Sequence, residues 1–182
     1  MSRRIASSRA SVVSQAERDI RGHLKDHDLD FTAMSAVSNI YRAGSAVRNH
    51  MERSVLSAYD LSWVAFTVLW VLWIWGEQES GHVAAEAGVT KGTLTGVVKT
   101  LATRRLVRRL PHANDGRRVS LALTKSGTRL IEELFPEFNH HETLAVGALS
   151  SAEQRELARL LRLVLAHISD VDAPAPGGAH TP

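Results

Sequence analysis

The chain of 182 residues contains no cysteine. That excludes disulfide scaffolds, thiolate zinc sites and thiol-based redox sensing. Aromatic residues are few, about one in twenty, and four of the ten are tryptophans. No secretory signal is expected either: Met1 to Ala10 carries arginines with no apolar run behind them. The longest apolar stretch, Leu61 to Trp75, falls short of the ~20 residues needed to cross a bilayer, and Gly76, Glu77 and Glu79 close it. It reads as a buried core helix, no membrane partner is expected, and a cytoplasmic location fits. Also absent are His-Glu-x-x-His, Gly-x-Ser-x-Gly, a phosphate-cradling glycine loop and any metal-ligand cluster. No cofactor, metal site or enzymatic activity is expected.

Acidic residues are scarce in one region. From Lys91 to Arg129 there are ten Lys and Arg against one acid, Asp115, a net +9, whereas the rest of the chain carries −6. The overall +3 hides this concentration. A basic block of this density suits a polyanion, because each neutralised phosphate releases condensed counterions; alone, it also fits a solvated charged face.

Periodicity organises the remainder. Residues 1–11 read as a disordered arm and 173–182 as a disordered tail rich in Pro, Gly and Ala. Val13, Ala16, Ile20 and Leu24 predict a short helix over 12–27. Met34, Val37, Ile40, Tyr41, Gly44, Val47, Met51 and Val55 mark one stripe of a long helix over 31–58. The tryptophan-rich segment predicts a helix over 62–76. Gly81 to Ala87 follows as a short helix ended by Gly88, and Thr90 stands as the cap of a helix running to Arg105.

The period then changes. Leu106–Leu110 and Arg118–Leu123 are β-compatible runs on either side of Asn114-Asp115-Gly116, which predicts a hairpin. Thr124 opens a helix expected to run to about Phe138, ended or kinked by Pro136. Ser150-Ser151-Ala152-Glu153 is a capping box, and Leu157, Leu160, Leu161, Val164 and Ile168 form the stripe behind it. The fold class is mainly α with a small β-hairpin wing: a winged helix-turn-helix lobe with a helical dimerisation region. The expected divisions are 12–60 for the N-terminal helices, 61–138 for the winged lobe and 139–172 for the C-terminal helices.

In the 90–105 helix, Leu94, Val97, Val98 and Leu101 form a side to be buried. Lys91, Gly92, Thr93, Thr95, Gly96, Lys99 and Thr103 fall largely outside it. Small and hydroxyl side chains permit close approach to base edges, lysines reach phosphate or guanine, and no acid stands among them to repel DNA.

AEAGVTKGTLTGVVKTLATRRLVRR followed by DGRRVSLALT resembles the turn, recognition helix and wing of the multiple-antibiotic-resistance regulator (MarR) family, from about Leu61 to Phe135. Asp115 and Arg117 occupy that family's Asp-x-Arg positions, and Leu123-Thr124 its closing pair. The resemblance implies that Thr90, Lys91, Thr93, Thr95 and Lys99 face the major groove or its phosphates. It implies that Arg117 enters the minor groove, oriented by Asp115; a turn-stabilising ion pair is the plainer alternative. Arg118 has no counterpart and adds at most a phosphate contact. Gly96 departs from a long polar residue in the family pattern and Arg105 from a glycine, so Arg105 argues against a tight turn before the first wing strand.

The resemblance further implies a homodimer on operator DNA, and the apolar stripes of 31–58 and 152–169 agree with one. The expected function is a ligand-responsive repressor released by a small aromatic or lipophilic effector. A protein-docking winged helix that lacks specific DNA binding is the alternative. The effector pocket would be lined by parts of 40–53 and 62–75. Trp63, Trp70 and Trp73 offer rings for it or serve as plain core. Arg48 and His50, with Arg53, offer an anion site or are solvated surface. The helix at 12–27 also occurs in the family's urate-responsive branch, but that branch's tryptophan is missing there and Thr67 replaces its pocket aspartate, which disfavours urate.

Overall fold

The computed structural model describes residues 15–112 and 115–172. The expected arm, the first residues of the 12–27 helix, the turn residues Ala113 and Asn114 and the tail lie outside the described residues. So do the side chains of residues 111–118.

The tryptophan-rich segment becomes α3 (Trp63–Trp75), and it is central because apolar residues cover all its faces. Ala65, Phe66, Val68, Leu69, Val71 and Leu72 are buried, while Trp63, Thr67, Trp70 and Ile74 line a less buried side. Its start is doubly held: Ser62 Oγ accepts from the amide of Ala65 at 3.2 Å, and Glu52 Oε1 accepts from that of Trp63 at 2.9 Å. Gly76, at φ 72°, ends it in a conformation that costs glycine least.

The chain forms two compact units, one reaching Glu142 and one beginning at Thr143. In the first unit residues 15–23 are helical (α1). α2 (Phe31–Ser54) starts at Asp30, whose carboxylate accepts from Thr32 N and Ala33 N at 2.9 Å. Of its 24 residues only Met51 is buried, and Val55 just beyond joins the same core. The end of α2 thus shares its core with the winged lobe rather than standing apart from it. A 3₁₀ turn (Leu56–Tyr59) leads into α3, followed by β1 (Gln78–Glu79), α4 (Ser80–Glu86), α5 (Lys91–Thr103), β2 (Val107–His112), β3 (Asp115–Leu123) and α6 (Lys125–Ala145).

The hairpin forms as expected, in a three-stranded antiparallel sheet of order β1-β3-β2. β1, two residues long, carries no periodicity and was not legible in the sequence. Regular pairing of β2 with β3 runs from Val107↔Leu123 to Pro111↔Val119, then shifts to His112↔Asp115. The backbone of residues 116–118 is therefore accommodated between two consecutive pairs, an irregularity that falls at the position of Arg117.

Two expectations need correction. α6 does not end near Phe138 but continues through Pro136 to Ala145, burying Ile131, Leu134 and Phe138. Burial of that face outweighs the single backbone hydrogen bond the proline forgoes. The turn before β2 is tight even though arginine occupies it: Arg105 itself adopts φ 58°. Around it Leu106 N bonds to Leu101 O at 2.9 Å and Thr124 N to Leu106 O at 3.0 Å. Closure of helix and sheet on both sides over-determines the conformation.

The second unit holds α7 (Ser151–Val171), with the capping box formed on both sides by Ser150 and Glu153. Gln154 Nε2 donates to Leu149 O at 3.0 Å, securing the preceding turn. No residue of α7 is buried; Leu157, Leu160, Val164 and Ile168 stay exposed.

Candidate nucleic-acid interface

α4, a turn and α5 form a helix-turn-helix held from inside. Val83 and Ala84 of α4 and Leu94, Val98 and Leu101 of α5 are buried together. The turn reverses at Gly88, φ 62°, and Thr90 caps α5 by accepting from Thr93 N at 3.2 Å. Packing the aliphatic side inward leaves Thr90, Lys91, Thr93, Thr95, Gly96 and Lys99 exposed together on the outer side. These residues are exposed as expected, whereas Val97 is only half-buried and the helix proper stops at Thr103.

The threonines are ordered before any partner arrives. Thr95 Oγ1 donates to Lys91 O at 2.8 Å and Thr103 Oγ1 to Lys99 O at 3.0 Å. The Thr90 and Thr93 hydroxyls lie 3.0 Å apart. A hydroxyl that spends its proton on the helix keeps lone pairs for a base amino group, and its methyl remains for contact with thymine. Gly96 has open space around it: a Cβ built there meets nothing within 4 Å.

The structure separates the basic block into roles that sequence order does not reveal. Arg104 faces inward, its guanidinium donating to Asp60 O at 2.6 Å and Tyr59 O at 2.8 Å. It clamps the left-handed turn at Asp60, φ 55°, and is a structural cation. Nearby, burial pushes the Tyr59 phenol up, with the charges of Glu133 and Glu137 adding to the effect. Arg108 and Arg109 are exposed on β2. Arg109 borders a cleft of about 220 Å³ between α5 and the sheet, together with Lys91, Thr95 and Val119. Sequence reading did not single out Arg109, because only the closed hairpin puts it beside the first turn of α5. Asp115, Arg117 and Arg118 have their backbone in β3, at the wing.

The residues expected around an effector have these neighbours. Trp70 stacks on Phe135 with centroids 4.7 Å apart and meets Trp73 edge-on at 5.6 Å. Trp63 lies 6.1 Å from both Phe66 and Phe138. These rings thus pack largely on one another and on α6, in keeping with the core alternative. Arg48 pairs with Glu52 at 3.8 Å. His50 Nε2 lies 3.1 Å from His141 Nδ1, a link between α2 and α6 across 91 residues that no local spacing could reveal. Among the described residues no group of three or more His, Asp or Glu is placed to hold a metal ion, and no helix is long and apolar enough to cross a membrane.

Comparison with known proteins agrees with this geometry. The MarR family pattern matches residues 61–119, from the start of α3 into the wing. The uncharacterized HTH-type transcriptional regulator YwaE of Bacillus subtilis is 38% identical over 151 residues, covering 81% of this chain and 88% of YwaE. Among solved structures, Bordetella bronchiseptica BpsR, a protein whose DNA binding is regulated by 6-hydroxynicotinic acid, superposes with a TM-score of 0.66. It is 25% identical over 71% of this chain and 97% of its own. AbsC of Streptomyces coelicolor, a MarR family transcriptional regulator, gives a TM-score of 0.70 at 18% identity over 79% of this chain and 99% of its own.

Proposed function

The chain belongs to the MarR family of DNA-binding transcription regulators, and from that premise we propose that it works as a homodimeric, ligand-responsive repressor. In this reading α5 enters the major groove of a near-palindromic operator. Thr90, Lys91, Thr93, Thr95 and Lys99 meet bases or phosphates there, while Arg117, oriented by Asp115, takes the adjoining minor groove and Arg118 a phosphate. The observation that carries the proposal is the outer side of α5: exposed, threonine- and lysine-rich, and free of acids. Arg109, on β2, adds a cation across the cleft from Lys91 and Thr95. Two recognition helices about one DNA turn apart would require the dimer. Support for that comes from apolar side chains exposed along α2, where Val37 is 65% and Tyr41 77% exposed, and along α7, each stripe more apolar than water tolerates comfortably.

The effector is proposed to be a small aromatic or lipophilic molecule, with Arg48, His50, Trp63, Trp70 and Trp73 as its candidate contacts. The regulation of BpsR by an aromatic acid favours that class. Ligand would bind the dimer form whose recognition helices are misplaced for consecutive grooves, drawing population from the DNA-competent form. Reciprocity then requires operator DNA to weaken ligand binding by the same factor.

The test is a gel shift against the DNA upstream of the chain's own gene at rising salt. Phosphate contacts make affinity fall steeply, with a log–log slope of about −0.9 per phosphate neutralised. Arg117→Ala is expected to weaken binding and leave the sedimentation coefficient unchanged. Absence of binding even at low salt would instead favour a winged helix that docks on protein.

A further inference from the structure

α5 ends at Thr103 and β2 begins at Val107, so residues 104–106 are the joint between the recognition helix and the wing. The joint is strained, with Arg105 in the left-handed region at φ 58°. Arg104 ties its first residue to the carbonyls of Tyr59 and Asp60. The other two residues are tied to Thr124, half-buried where β3 gives way to α6. Thr124 Oγ1 donates to Arg105 O at 2.5 Å and lies 3.3 Å from Leu106 O. Its amide donates to Leu106 O at 3.0 Å. The same hydroxyl oxygen accepts from Gly127 N at 3.1 Å, capping α6. Gly127 lets the two elements approach this closely, because a side chain there would collide with Leu106 O. An N-cap needs only the acceptor half of this arrangement. The donor half, to Arg105 O, adds nothing to α6 and acts on the joint alone.

We propose that Thr124 is a positioning residue for DNA binding, its hydroxyl fixing the angle between α5 and the wing; this rests on the regulator reading above. Leu123, the residue before it, pairs with Val107 at the base of the wing. From that base the wing acts as a lever. At strand rise the backbone of residue 117 lies roughly 15 Å out, so a rotation of about 10° at the joint displaces it by about 3 Å. A hydrogen bond to DNA does not survive a shift of that size. α5 is seated independently, through Leu94, Val98 and Leu101 in the core. Loss of the hydroxyl therefore leaves the helix in place and frees the wing. Arg105 O loses its partner at the same time, and the left-handed residue loses the tie that holds it.

The experiment measures binding of full-chain variants to a duplex from upstream of the chain's own gene, by fluorescence anisotropy well below each melting temperature. Thr124→Val keeps the side-chain shape and removes the hydroxyl. Its affinity is expected to fall about tenfold, the loss of one charge-assisted contact, with a salt slope shallower by about one. Thr124→Ser should restore both. In an Arg117→Ala background Thr124→Val should cost about twofold or less, because the contact it positions is already gone. In a Lys99→Ala background the full loss should remain, since that contact belongs to α5. Arg105→Gly separates stability from positioning: glycine accepts the left-handed conformation and offsets the stability that Thr124→Val loses. The Arg105→Gly, Thr124→Val double variant should melt near the wild type yet bind about tenfold more weakly than Arg105→Gly alone. The inference is overturned if Thr124→Val binds like the wild type, or if its loss is the same with and without Arg117. It is also overturned if the glycine that restores the melting temperature restores the affinity. Wild-type protein that binds no duplex at low salt overturns the regulator reading and this inference together.

Discussion

Gly96 offers the sharpest test of the interface, because stability and function should respond to it with opposite signs. It stands in the interior of α5, exposed, with nothing within 4 Å of a Cβ added there. Glycine in a helix interior costs about 1 kcal/mol relative to alanine, since its backbone loses the most freedom on folding. Nothing in the described surroundings requires glycine: the helix is regular there, and Thr100 Oγ1 bonds Gly96 O at 3.3 Å without touching the α-carbon. Gly96→Ala should therefore stabilise the protein by about 1 kcal/mol, a rise in melting temperature of roughly 2–4 °C for a chain of this size. Gly96→Met should also be tolerated, as methionine is a good helix former. If α5 lies in the major groove, however, the longer side chain must occupy space meant for base edges. Its operator affinity should fall by an amount comparable to one mismatched base pair, about 2 kcal/mol or roughly thirtyfold. Thermal melts and fluorescence anisotropy on an upstream duplex read the two effects separately. A Gly96→Met variant that binds the duplex with undiminished affinity would refute the placement of this face against DNA.

Other perturbations probe the scaffold. Arg105→Gly should stabilise by up to about 1 kcal/mol in denaturant unfolding, because glycine relieves the left-handed strain at φ 58° at some entropic cost. Gly127→Ala should destabilise by about 3 kcal/mol, since the new Cβ would collide with Leu106 O, a backbone atom that cannot step aside cheaply. That loss should appear as a lowered denaturation midpoint. In α7, Glu153 is held below its ordinary 4.5 by the Ser150 hydroxyl first and by the Ser150 backbone second. A depressed carboxyl contributes stability that is full above the unfolded value and lost as pH falls through the folded one. Amide-exchange protection over residues 151–154 should therefore decline below about pH 4.5 in the wild type and show a weaker acid dependence in Ser150→Ala, where only the backbone contact remains.

What was legible in the sequence was what short-range physics decides. Thr90 and Ser150 announce their helices because a cap needs only a side-chain oxygen two or three residues before an unpaired amide. The α5 stripe of Leu94, Val98 and Leu101 is legible because helical period alone assigns its side, and the expected face for DNA follows as the complement. The hairpin was legible from alternation and turn chemistry. Tertiary structure decided everything that required two distant segments to meet. Arg104, Arg108 and Arg109 look alike in the basic run, yet one is spent on the carbonyls of Tyr59 and Asp60 and two remain exposed. The pairing of His50 with His141, the tryptophans' use as mutual packing, α6 running past Pro136 and the hold of Thr124 on Arg105 belong to the same class. In each the deciding energy is burial or a hydrogen bond between residues far apart along the chain, and such partners exist only once the backbone has closed.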